Sequence, residues 1–95
     1  MHMEITAHGF ILRSTLRADI ERQIGRFVQA EPRALKRVAV DLFEERERPL
    51  RRTNRHCRVQ VECLNDDRET VSQTDRDFRA AVSEAFLKLL RRLPY

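Results

Sequence analysis

Residues 57–63 read Cys57-Arg58-Val59-Gln60-Val61-Glu62-Cys63. Apolar and polar side chains alternate without a break, the period of a strand with one face buried and the other wet. The pattern has a counterpart upstream, where Val38, Val40 and Leu42 alternate with Arg37, Ala39, Asp41 and Phe43. Two one-sided strands in succession specify an antiparallel pair whose apolar faces need a common cover. Between them, Glu45 to Arg55 contains Pro49 and no apolar period. It is expected to be a loop of about eleven residues, long against the two to five of most hairpins.

Downstream of Cys63, Asn65-Asp66-Asp67 is turn chemistry. Glu69 to Gln73 then forms a weaker strand centred on Val71. Thr74-Asp75-Arg76-Asp77 places a capping residue three before an acid, which predicts a helix start of the capping-box kind. Phe78, Ala81, Val82, Ala85, Phe86, Leu89, Leu90 and Leu93 follow on one helical stripe, and Pro94 ends it. Lys88, Arg91 and Arg92 fall near the C-terminus of that helix, where cations suit its dipole.

Upstream of Val38, Leu16, Ile20, Ile24, Phe27 and Val28 make a second stripe. They predict an amphipathic helix over 14–30, with Asp19, Arg22 and Arg26 on its far side and Pro32 closing it. Met3, Ile5 and Ala7 alternate with Glu4, Thr6 and His8 in a short strand that Gly9 breaks. Met1-His2-Met3 duplicates a start, which sets residues 1–2 apart from one domain expected over 3–95. The order is β-α-β-β-β-α, an α+β fold with a four-stranded mixed sheet and both helices on one face. The strands flanking the first helix should be parallel, joined by a right-handed crossover. The remaining strands should be antiparallel.

The 95 residues are 41% hydrophobic and 36% charged, so the chain is a folded single domain rather than a disordered polyelectrolyte. No run approaches the ~18 apolar residues of a membrane span, and the chain opens on no signal-like leader. The expectation is a cytoplasmic monomer. Cys57 and Cys63 lie ~20 Å apart along one strand at ~3.3 Å per residue and cannot bridge there. They are expected to be buried free thiols of a reducing compartment. His2, His8 and His56 follow no ligand spacing, so no metal is expected. With glycine only at positions 9 and 25, the chain offers no phosphate-cradling loop. It holds no nucleophile elbow and no paired helical histidines either, so neither an enzymatic activity, a cofactor nor a small-molecule substrate is expected.

The charge points elsewhere. Nineteen basic residues stand against fifteen acidic ones, for a net charge of +4, and the pI is near 9.8. All the basic residues except Lys36 and Lys88 are arginine, whose planar fork grips phosphate bidentately and stacks on bases. Arg22 and Arg26 face away from the first apolar stripe, and Arg13 and Arg17 flank its edge. Arg33, Lys36 and Arg37 crowd the connection that follows it, while Lys88, Arg91 and Arg92 project from the last helix. Helices lying side by side would join these into a belt able to track phosphates without reading bases. A second cluster, Arg51, Arg52, Arg55 and Arg58, sits in the loop before the third strand. The competing reading of the belt is a solvated surface laced with Asp19–Arg22 and Glu84–Lys88 pairs.

The element order, with Thr15-Leu16-Arg17 opening the first helix, Val38-Ala39-Val40 in the second strand and Asp77-Phe78-Arg79-Ala80-Ala81-Val82 opening the last helix, resembles the short ribosome hibernation-promoting factors. These are also known as the ribosome-associated inhibitor or ribosomal subunit interface proteins. The last helix of that family typically reads Asp-Met-Tyr-Ala-Ala-Ile-Asp and then Lys-Leu-x-Arg-x-Leu, and Lys88-Leu89-Leu90-Arg91-Arg92-Leu93 fits the tail in register. The resemblance covers Met3 to Leu93. It implies binding to 16S rRNA of the small ribosomal subunit, in the channel used by mRNA and tRNA, with translation blocked by occupancy in stress or stationary phase.

On that resemblance Arg17, Arg26, Lys88 and Arg91 stand where the family carries basic residues, and Arg92 extends the patch. The expected RNA-binding set is completed by Arg22, Arg33, Lys36, Arg37 and Arg79. This sequence departs from the family's pattern at Arg79 (usually tyrosine), Ser83 (usually aspartate) and Gln23 (often lysine). With the exposed Leu87, Arg79 and Ser83 motivate a rival reading, a protein-interaction module that has kept the fold and lost the ribosome. A generic double-stranded RNA binder is the third.

Overall fold

A computed structural model describes residues 1–47 and 52–92. The elements are β1 (His2–His8), α1 (Ser14–Ala30), β2 (Leu35–Glu47), β3 (Arg52–Cys63), β4 (Arg68–Asp75) and α2 (Phe78–Arg91). They form one four-stranded sheet in the order β1-β2-β3-β4. β1 runs parallel to β2, and the other pairs are antiparallel. Both the order β-α-β-β-β-α and the mixed α+β sheet are as expected.

Register follows from burial. Val38 opposes Val61, Val40 opposes Val59 and Leu42 opposes Cys57, while Val59 also meets Val71 of β4. All of these are buried. A slip of one residue would turn the whole set to water, so the apolar period fixes the pairing. Ile20, Ile24 and Phe27 of α1 and Phe78, Val82, Phe86 and Leu89 of α2 close over the same face. Phe27 and Phe86 stack at 4.8 Å between ring centroids, as do Phe10 and Phe78 at 5.0 Å. Asp19 lies against Arg79 and Phe27 against Phe86, so the two helices run side by side in the same direction. Leu93 and Pro94 of the expected last helix lie outside the described residues.

Two local expectations are corrected. The stretch 45–55 is not a long loop, because the hairpin arms continue through it: Glu44 pairs with Arg55, Glu45 with Asn54, Arg46 with Thr53 and Glu47 with Arg52. Beyond the core these strands have no apolar face to bury, so the period that marks a strand disappears. They are held instead by ladder hydrogen bonds and by cross-strand charge, with Glu44 3.6 Å from Arg55. The second correction concerns the start of α2. Thr74 and Asp75 belong to β4, and the helix is capped by Asp77, whose side chain accepts from the Arg79 backbone N–H at 3.1 Å. The Thr74 hydroxyl is occupied across the sheet, 2.7 Å from His56 Nδ1.

Gly9 ends β1 at φ +84°, a left-handed conformation that a side chain would strain. Cys57 and Cys63 are both buried and free. Burial pushes the Cys57 thiol up to about 11 against a smaller lowering by the Gln73 backbone, and burial also raises the Cys63 thiol. Since the thiolate is the reactive form, neither cysteine should react with a disulfide reagent at pH 8 until the protein is denatured, when both should. Rapid labelling of the native protein would show that the core face of β3 is open.

Candidate nucleic-acid interface

The basic residues divide by what surrounds them. Arg17, Arg26, Lys88 and Arg91 are exposed and make no ion pair among the described residues. Arg17 and Arg26 are nine residues apart, two and a half helical turns, and therefore occupy opposite flanks of α1. The same spacing separates Arg79 from Lys88 on α2. Arg26 and Arg79 consequently face each other across the space between the helices, whereas Arg17 and Lys88 sit on the outer flanks and Arg91 on the outward surface of the last turn.

Asp19 organises the space between the helices. Its carboxylate accepts from Arg22 Nη2 at 3.1 Å and from Gln23 Nε2 at 3.2 Å, and lies 3.4 Å from Arg79 Nε across the helix boundary. Burial alone would raise this carboxyl, but the hydrogen bonds from Gln23 and Arg22 and the charges of Arg79 and Arg22 hold it below its ordinary value. The sequence showed the Asp19–Arg22 spacing; the link to Arg79 needs the helices side by side. Glu84 and Lys88, the other expected pair, form no ion pair among the described residues.

Arg33, Lys36 and Arg37 are not part of the helical face. Arg33 Nε lies 3.1 Å from Glu31, whose side chain is 0% exposed, and its Nη1 lies 3.6 Å from Glu69. The Glu31 carboxylate also accepts from the Arg33 backbone N–H at 3.0 Å. Nothing in the sequence marked Glu31 as buried, because it caps the C-terminal end of α1 only once the chain turns back beneath it. Lys36 lies 3.9 Å from Asp66 beside the β3–β4 turn. Arg37 points from the sheet face opposite the helices, bound to Glu4 at 2.7 Å.

The expected loop cluster is spread over the sheet. Arg52 is exposed at the start of β3, and Arg51 lies outside the described residues. Arg55 points toward the helices, near Glu44 and the Arg76 carbonyl, and covers the Phe78 ring at 5.7 Å. Arg58 points to the open face, 3.4 Å from Asp41 and over the Phe43 ring at 5.6 Å. Arg92 Nη1 reaches toward the Thr70 carbonyl of β4 at 3.5 Å.

The two faces therefore differ in kind. On the open sheet face cations and carboxylates cancel in pairs: Arg37 with Glu4, Arg58 with Asp41 and Arg68 with Glu62. The helical face keeps cations with no ion-pair partner among the described residues. A polyanion gains most where it replaces counterions rather than resident carboxylates, which makes the helical side the candidate interface. Among the described residues no three His, Cys, Asp or Glu side chains group to hold a metal ion, and no helix is long and apolar enough to cross a membrane.

No protein-family model matches this chain, and no curated protein does. Among solved structures it is similar to a ribosomal subunit interface protein from Coxiella burnetii, with a TM-score of 0.81 at 16% identity, over 98% of this chain and 93% of that one. It is also similar to the N-terminal domain of Thermus thermophilus Protein Y, with a TM-score of 0.73 at 17% identity, over 97% and 94% of the two chains. The chain thus has, over nearly its whole length, the fold of a ribosomal subunit interface protein.

Proposed function

We propose that the protein is a non-enzymatic ribosome-binding factor. In this reading its helical face lies on 16S rRNA in the mRNA and tRNA channel of the small subunit and blocks translation by occupancy, as in ribosome hibernation. The observation that carries the proposal is the charge asymmetry. Among the described residues Arg17, Arg26, Lys88 and Arg91 make no ion pair on the helices, while Arg37, Arg58 and Arg68 on the opposite face each meet a carboxylate. The shared fold with a ribosomal subunit interface protein supports it. Arg33 and Arg37 are left out of the interface, because a carboxylate already occupies each.

Co-sedimentation with small ribosomal subunits across a salt series tests the proposal. Four phosphate contacts give a log–log slope of roughly −3 to −3.6, so affinity should fall about a hundredfold between 50 and 200 mM salt. Failure to co-sediment at the low-salt end would overturn it.

A further inference from the structure

Between α1 and α2 a groove of about 590 Å³ opens to solvent. This lies within the ~300–1,000 Å³ of sites that hold small organic groups. Its floor is apolar, made by Phe27, Ala80, Phe86 and Leu90, and Leu87 stands at its edge with 48% of its surface exposed. Arg26 rises from one wall and Arg79 from the other. Among the described residues, Arg26 has no acidic partner. Arg79 is held to Asp19 through Nε alone, which leaves its two Nη groups for another acceptor. Asp19 and Gln23 fix its position: the Gln23 amide donates to Asp19 at 3.2 Å and lies 3.3 Å from the Arg79 carbonyl. Ser83 adds a hydroxyl with no partner among the described residues.

Resting on the RNA reading above, we propose that this groove houses one unpaired nucleotide of the bound RNA. The base occupies the apolar slot, and the flanking phosphates meet Arg26 and Arg79. The chemistry of the walls selects this occupant. A nucleotide has apolar faces, polar edges suited to Gln23 and Ser83, and anions on either side that match two opposed guanidiniums. An amphipathic protein helix would use the apolar floor but needs no anion on each side of it, and a guanidinium on each wall is what Arg26 and Arg79 provide. Asp19, which also lines the groove, is then a positioning residue that orients Arg79 toward the slot.

The test compares a plain RNA duplex with the same duplex carrying one extra, unpaired nucleotide, by fluorescence anisotropy at fixed salt. Wild type should prefer the bulged RNA about tenfold, the scale of one stacked base. Ser83→Trp, which fills the slot from an exposed position, should remove that preference while keeping the salt slope on the plain duplex. Leu87→Ser should weaken the preference in the same sense, and thermal melts of both variants should match wild type. Equal binding of the two RNAs by wild type would overturn the inference, as would a preference that survives Ser83→Trp. Self-association of wild type that Ser83→Trp dissolves would assign the groove to a second copy of the chain and also overturn it. If wild type binds neither RNA but still binds small subunits, the nucleotide inference alone fails. If it binds neither RNA nor subunits, the ribosome reading fails with it.

Discussion

Replacing Lys88 and Arg91 together by glutamate is expected to lower binding to small ribosomal subunits by at least about a hundredfold, since a charged hydrogen bond contributes about 1.5–3 kcal/mol and two are lost. The salt dependence should become shallower as well, by ~0.7–0.9 per phosphate contact removed. Both residues are exposed at the C-terminal end of α2 and make no ion pair among the described residues. The fold uses them only to offset the helix dipole, at about 0.3–1 kcal/mol each. The melting temperature should therefore fall by roughly 2–16 °C, and the neutral pair Lys88→Gln with Arg91→Gln should fall less while still binding weakly. Melting curves beside co-sedimentation separate the two effects. Retained affinity in the glutamate variant would move the interface away from α2.

The opposite pattern is expected at Arg33. Arg33→Leu should cost about 3–5 kcal/mol, the range for removing one partner of a buried ion pair. That corresponds to a melting temperature lower by roughly 12 °C or more in a domain of this size. The Glu31 side chain is fully enclosed, and among the described residues neither its Oε2 nor that of Glu69 has a hydrogen-bond partner. Without the guanidinium, two carboxylates face a site with no resident cation. Arg33→Leu combined with Glu31→Leu should recover part of the loss, since two apolar groups replace an ion pair at little cost. Below its melting temperature the single variant should bind small subunits as wild type does. A variant that melts normally but binds weakly would return Arg33 to the interface.

The architecture was legible because burial writes a period into the chain. Val59 and Val61 in β3, Val38 and Val40 in β2, and Ile20, Ile24 and Phe27 in α1 each specify an element and the face it buries. Where the chain leaves the core, that signal stops. Glu44 to Glu47 and Arg52 to Arg55 carry charges on both faces and read as loop, yet they form a ladder. Thr74 looked like a cap because its hydroxyl was assumed free, and it is taken by His56 on the neighbouring strand.

The candidate interface divides along the same line. From the residues alone came the β-α-β-β-β-α order, the one-sided sheet, the buried thiols and a surplus of arginine, since each depends on side-chain type and short-range spacing. Which arginines remain available to a polyanion was decided in three dimensions. Arg37 is consumed by Glu4, and Arg33 by Glu31, two residues before it, and by Glu69; Glu4 and Glu69 meet them only through tertiary contacts. Arg26 and Arg79 come to share a groove because two parallel helices pack through Phe27 and Phe86. A charge is a property of its residue, but its neutralisation depends on a partner within a few ångströms, and only the folded chain sets that distance.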